Sequence, residues 1–163
     1  EAEQALVRGE NLLAMIDQHQ HTALSGPAKE EAQHRLDQFG NRATYAGSVV
    51  TDAQRLKRIM RRHDPAVYPG AFVTCVFDPD KALCLRQGTL RDTEPVLANC
   101  RPLDCHNVAL SPDNLDTWRG ELANLDNYLA RASVIPPLLA HRLQDRRREI
   151  ANFIERHSET EQP

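Results

Sequence analysis

Apolar residues recur at helical spacing over both ends of the chain and lose that rhythm in the middle. Leu6, Leu12, Leu13 and Ile16 keep one face apolar and predict a first helix through about His19, broken by Ser25-Gly26-Pro27. From Pro27 a second helix carries Ala32, Leu36 and Phe39 on one stripe and ends at Gly40 or a few residues later. The run Thr51-Asp52-Ala53-Gln54 has the form of a capping box and predicts a third helix that buries Leu56, Ile59 and Met60. Asp64-Pro65 and the turn signal Pro69-Gly70 stop it.

After the middle, Ser111 before Pro112 is an N-capping serine with proline at the first helical position. Leu115, Trp118, Leu122, Leu125 and Leu129 follow at spacings of three and four, the clearest amphipathic pattern in the chain. Ser133-Val134-Ile135-Pro136-Pro137 interrupts it, and a last helix is predicted from Pro137 through Arg156 with Leu139, Leu143, Ile150, Phe153 and Ile154 on its apolar side. Two helices of about 20 residues joined by so short a connection fold back as an antiparallel hairpin about 30 Å long. Its seam is expected to bury against the N-terminal helices. Between the helical ends, Ala71 to Phe77 reads either as a short strand or as an apolar lead-in to the first thiol. The expected fold is mainly α: helices over 1–62, an irregular four-cysteine metal-binding centre over 70–108 and a C-terminal helical hairpin over 111–157, in one domain of 1–163.

Composition changes this picture little. With 163 residues, 40% hydrophobic and 5% aromatic, the chain is large enough to bury an aliphatic core without staples. No apolar run approaches the roughly 20 residues that span a bilayer, and the N-terminus lacks a secretory leader. A cytoplasmic protein without a membrane partner is expected. The chain starts without Met on a helix already under way, which suggests a piece of something longer.

Cysteine distribution changes the picture most. All four, Cys75, Cys84, Cys100 and Cys105, fall within one fifth of the length. A secreted disulfide framework spreads its bridges, and scattered core cysteines do not cluster. Disulfides and inert buried thiols stay open, but a shared metal is the leading expectation. The C-x4-C pair fits a zinc knuckle, whereas the C-x8-C pair is too wide for one. Asp78-Pro79 is expected to open a one-turn helix ending at Cys84, and Pro95 another ending at Cys100, with Arg101-Pro102-Leu103-Asp104 turning straight to Cys105. Zinc suits four thiolates in a closed, structural site; a [4Fe–4S] cluster also takes four cysteines and tolerates irregular spacing. His106 in place of one cysteine is a further zinc option.

Catalytic patterns are weak. His19 and His21 point opposite ways on a helix, Arg61-Arg62-His63-Asp64 reads as a charge cluster at a helix end, and no phosphate loop or HExxH occurs. A non-catalytic chain is expected. The formal charge is −3, and four thiolates on Zn²⁺ take it to −5, yet cations cluster locally. Arg55, Arg58, Arg61 and Arg62 accompany Lys57 on the third helix, and Arg142, Arg146 and Arg148 lie beside Arg147 on the last. Both groups read either as solvated faces paired with nearby acids or as phosphate contacts.

The stretch from Pro69 to Cys84, followed by Cys100 to Asn114 and a helical hairpin, resembles the cysteine-containing segment of large mobile-element integrases of tyrosine-recombinase type from high-GC bacteria. The resemblance spans about 49–157 and rests on the Cys-and-Pro pattern. It implies a DNA-recombination context and an accessory region lacking the catalytic domain, because Tyr45, Tyr68 and Tyr128 match no nucleophile context. The functional expectation is a zinc-stabilised interaction module of a DNA-processing protein that binds DNA or a protein partner. The alternative is an iron–sulfur protein with a redox-sensing or structural role in a DNA-associated enzyme.

Overall fold

The computed structural model describes residues 2–19, 23–45, 48–49, 52–85 and 93–158. Among the described residues five α-helices dominate: α1 (Ala2–His19), α2 (Lys29–Ala43), α3 (Ala53–His63), α4 (Pro112–Leu129) and α5 (Pro137–Ser158). Five short strands accompany them: β1 (Thr44–Tyr45), β2 (Ser48–Val49), β3 (Val67–Pro69), β4 (Thr74–Val76) and β5 (Val108–Ala109). The mainly helical expectation holds, and a small sheet joins it.

Local signals explain the helix boundaries. α3 is capped by Asp52, whose carboxylate accepts from Gln54 N at 3.0 Å, one residue after the threonine expected from sequence. An Asx side chain reaches the second helical N–H directly; the threonine of the expected capping box, Thr51, lies outside the described residues. α4 begins as expected, with Ser111 Oγ accepting from Asn114 N and the Asn114 side chain accepting from Ser111 N. Asn114 thus fills the reciprocal role usually taken by Glu or Gln.

β3, β4 and β5 form an antiparallel sheet in that order. The register pairs Val67 with Val76, Tyr68 with Cys75, and Cys75 with Val108. Strand alternation then sends neighbouring residues to opposite faces. Val67, Val76 and Ala109 join Leu12, Leu36, Phe39, Leu56 and Met60 in one core under α1, α2 and α3. Val108 belongs to a second core with Leu110, Leu115, Trp118, Ile150 and Phe153. The sheet is therefore a middle layer between N-terminal helices and the α4–α5 pair. This corrects the expectation that the hairpin seam buries against the N-terminal helices: Trp118, Ile150 and Phe153 bury against β5 and the cysteine-bearing turns instead.

Two glycines make these layers fit. A Cβ on Gly9 of α1 would stand 3.0 Å from Met60 Cγ and 3.1 Å from Leu56 Cγ, so α3 approaches α1 where a side chain is missing. Gly26 has φ +93° and would bring a Cβ within 2.9 Å of Val108 O. Its turn lets Ser25 exchange two backbone hydrogen bonds with Leu110 at 2.9 Å each and extends the sheet's pairing.

Contacts between α4 and α5 run in opposite order along the two helices: Trp118 meets Phe153 edge to face, Arg119 reaches Ser158, and Asp126 pairs with Arg147. At the base of α4, Asn114 Nδ2 donates to Gly70 O and Ala71 O at 2.8 and 2.9 Å, and Trp118 Nε1 donates to Phe72 O at 2.9 Å. Trp118→Ala is expected to cost about 3–5 kcal/mol for a buried aromatic. Asn114→Ala is expected to cost about 1–3 kcal/mol, because two carbonyls lose their donor. Urea denaturation of each variant checks both, and the native emission of Trp118 is expected at the short wavelengths of a buried indole.

Candidate functional site

Cys75 stands in the central strand β4 between two buried neighbours, Thr74 and Val76, and so faces away from the N-terminal core. After β4 the chain turns at Asp78, whose carboxylate accepts from Asp80 N at 3.0 Å and pairs with Lys81 at 3.2 Å. The expected one-turn helix is a series of turns, because the Asx contact satisfies the backbone locally. Those turns carry the buried Cys84. The second proline-led element is a 3₁₀ turn at Leu97–Asn99 that ends on Cys100, with Cys100 N donating to Leu97 O at 3.1 Å. Arg101 to Cys105 then closes a turn in which Cys105 N donates to Arg101 O at 3.0 Å.

Three side-chain contacts tie these turns together. Asn107 Nδ2 donates to Asp78 O at 2.9 Å, Asn99 Nδ2 reaches Cys84 O at 3.5 Å, and Cys105 Sγ lies 3.9 Å from Lys81 O. The four thiols consequently sense one another. Burial pushes the Cys75 thiol up to about 12, and the charges of Cys105, Cys100 and Cys84 push it the same way, against Arg35. Cys100 is raised by burial first and then by Cys105 and Cys84. All four are free thiols rather than disulfides. His106 is exposed on the turn before β5.

The cluster is convergent without being closed. Among the described residues, no three or more His, Cys, Asp or Glu side chains are arranged to hold an ion between them. A tetrahedral zinc site with metal–sulfur distances of about 2.3 Å would need the side chains to draw inward. No protein-family model, curated protein or solved structure matches the chain.

The two arginine groups, similar in sequence, differ in their surroundings. On α3, Leu56 and Met60 are buried against α1, while Arg58, Arg61 and Arg62 are exposed and Lys57 is half-buried. At 3.6 residues per turn the three exposed arginines fall on the side opposite Leu56 and Met60. Among the described residues, Lys57, Arg58, Arg61 and Arg62 have no carboxylate partner; Arg55 is half-buried and engaged. On α5, Arg146 pairs with Glu149, Arg147 with Asp126 and Arg148 with Asp145, and Arg142 is exposed.

The remaining chemistry-bearing residues do not converge. Tyr68 on β3 lies under the Arg8 guanidinium, 4.2 Å from its ring centre, and burial leads the causes that raise its phenol. Tyr128 is exposed on α4, and the side chains of Tyr45 and His19 and all of His21 lie outside the described residues. A feature without a sequence signal is an apolar cleft of about 780 Å³, between α1, the β3–β4 turn and the base of α4, into which Cys75 and Cys100 both open. Its walls come from segments far apart in sequence.

A pH test follows from the Cys75 thiol. In metal-free protein the unfolded chain loses that proton near the ordinary thiol value, whereas the folded state keeps it to about 12. Between these values the unfolded state binds fewer protons, so stability is expected to fall as pH rises from about 9 to about 12. Cys75→Ser flattens that fall, read as urea midpoints at about pH 8 and about pH 10.5.

Proposed function

We propose that this chain is a non-catalytic module stabilised by a metal on Cys75, Cys84, Cys100 and Cys105, and that it serves a DNA-processing assembly by presenting α3 to DNA. The observation that carries the metal reading is the convergence of four thiols from β4 and three separate turns, in a span where packing alone holds little. Leu97, Ala98, Asn99 and Cys100 are all exposed, so ligand bonds would do there what a core does elsewhere. Zinc is the first reading. A [4Fe–4S] cluster is the second, favoured by thiols that neighbour one another without closing on a single-ion site.

The DNA reading draws on the cationic face of α3, a helix that carries no acidic residue between its flanking Asp52 and Asp64. Lys57, Arg58, Arg61 and Arg62 can meet phosphates without first breaking an ion pair, unlike Arg146 and Arg148. The resemblance of Pro69–Cys84 and Cys100–Asn114 to the cysteine segment of mobile-element integrases points to the same context. In that setting the chain is an accessory region, and α5 contributes through Arg142 at most. No described helix is long and apolar enough to cross a membrane.

Elemental analysis of the purified chain is expected to give about one zinc per chain and a colourless solution; iron with broad visible absorbance assigns the cluster instead. Cys100→Ser is expected to release the metal and loosen residues 72–108 in hydrogen exchange while the terminal helices stay protected. Full metal retention in that variant, or a wild-type chain with four free thiols and no metal, defeats the metal reading. For DNA, Arg58→Glu with Arg62→Glu is expected to abolish a low-salt gel shift, and binding should fade with salt by a log–log slope of about −0.9 per neutralised phosphate. Absence of any shift at low salt assigns the module to a protein partner.

A further inference from the structure

Two cavities meet beside the N-terminal half of α1. One is the apolar cleft into which Cys75 and Cys100 open; the other is a groove of about 1080 Å³ between α1, α3 and residues 94–97. Gln4, Arg8, Tyr68 and Leu97 line both, so the two adjoin across a shared wall.

Their chemistry differs. Lys57, Arg58 and Arg61 line the groove from one stripe of α3, and none has a carboxylate partner among the described residues. Helical phase puts Arg62 on the far flank of the same cationic face, away from this stripe. The groove's acids are Asp64, already held by Arg8 and by the Ala66 N–H, and Glu94. In the cleft the cations are committed instead, Arg8 to Asp64 and Arg146 to Glu149. Its acids, Glu3 and Glu121, repel a phosphate but not a neutral ring. Phe72 and Leu97 stand in it 41% and 71% exposed, next to the buried Trp118.

A stripe of uncommitted cations beside an apolar cleft with an accessible aromatic ring suits a polymer that is anionic along its backbone and carries flat rings to one side. An unpaired nucleotide strand has that form, whereas a duplex keeps its ring faces stacked inside and offers α3 its phosphates alone. Resting on the DNA role proposed above, we infer that the DNA bound here is single-stranded, with phosphates along Lys57, Arg58 and Arg61 and a base entering the cleft against Phe72.

Fluorescence anisotropy of a labelled thymidine strand of about 12 nucleotides, and of a duplex of the same length, against the purified chain tests it. At low salt the strand is expected to bind at least about tenfold more tightly than the duplex and to change Trp118 emission. Its log–log salt slope is expected near −0.7 per phosphate contacted. Phe72→Ala and Leu97→Gln are each expected to weaken the strand at least about fivefold, the low end for losing one stacked base, and to leave duplex binding unchanged. Leu97 is the more exposed of the two and guards against misfolding, with far-UV dichroism unchanged. Arg58→Glu and Arg61→Glu are expected to weaken the strand more than Arg62→Glu does, and Glu94→Gln to strengthen it. A duplex bound as tightly as the strand overturns this inference and leaves the DNA role standing; binding of neither overturns both. Strand binding indifferent to Phe72→Ala and Leu97→Gln in folded protein, or matched by polyglutamate of equal charge, also overturns it.

Discussion

Three successive carbonyls, those of Gly70, Ala71 and Phe72, accept hydrogen bonds from just two side chains at the start of α4. The β3–β4 turn cannot satisfy them itself, because its strands pair only up to Pro69 and Thr74. An unpaired carbonyl under the indole would cost on the order of 1–3 kcal/mol. Asn114 and Trp118 therefore fix where α4 stands relative to the sheet. Phe72, held against the indole at a centroid separation of 4.8 Å, completes the clamp. Cys75 is three residues beyond it, so the placement of the thiols inherits the rigidity of this contact.

The sheet turns that local clamp into a global arrangement. β4 is its centre, and its alternation sends Thr74 and Val76 into the N-terminal core and Cys75 to the opposite side. Arg35 reinforces the first side: from α2 it donates to Phe77 O at 2.9 Å and pairs with Glu31 on its own helix. One residue after the strand the chain enters the turns that carry Cys84, which contribute few apolar side chains. A metal at the thiols would thus link the middle layer to its least packed neighbours. The binding free energy of such a site is folding free energy for the segment that supplies the ligands.

The helices were legible because each needs only its own neighbours in sequence. Ser111, Pro112 and the stripe from Leu115 to Leu129 announce α4, and Pro137 opens α5 where its fixed φ suits a first turn. β3 was not legible, since Val67-Tyr68-Pro69 sits among turn signals and its proline is acceptable only because β3 is an edge strand. β5, two residues long, has no periodicity to read. Missing these strands led directly to the misplaced hairpin, because without a middle layer the only surface left for Trp118 and Phe153 was the N-terminal helices. For the site, the thiols clustered in sequence lie near enough to bear on one another's charge but form no ion-holding group among the described residues, and the cleft beside Cys75 depends on tertiary packing that no local pattern encodes.

The two arginine groups show where sequence spacing stops being informative about charge. Both have cations three and four residues apart, which places guanidinium groups on one helical face in either case. What separates them is the distribution of acids. α5 interleaves Asp145 and Glu149 with its arginines and meets Asp126 across the hairpin, so most of its positive charge is locally compensated. α3 confines its acids to the caps, where Asp52 and Asp64 are already committed to backbone N–H groups and Asp64 also to Arg8. With a screening length of roughly 8–10 Å at ordinary salt, the acidic surplus elsewhere on the chain reduces the field of α3 only weakly. A chain of net charge −3 can therefore carry one strongly positive helix face, and overall charge says little about what that face meets.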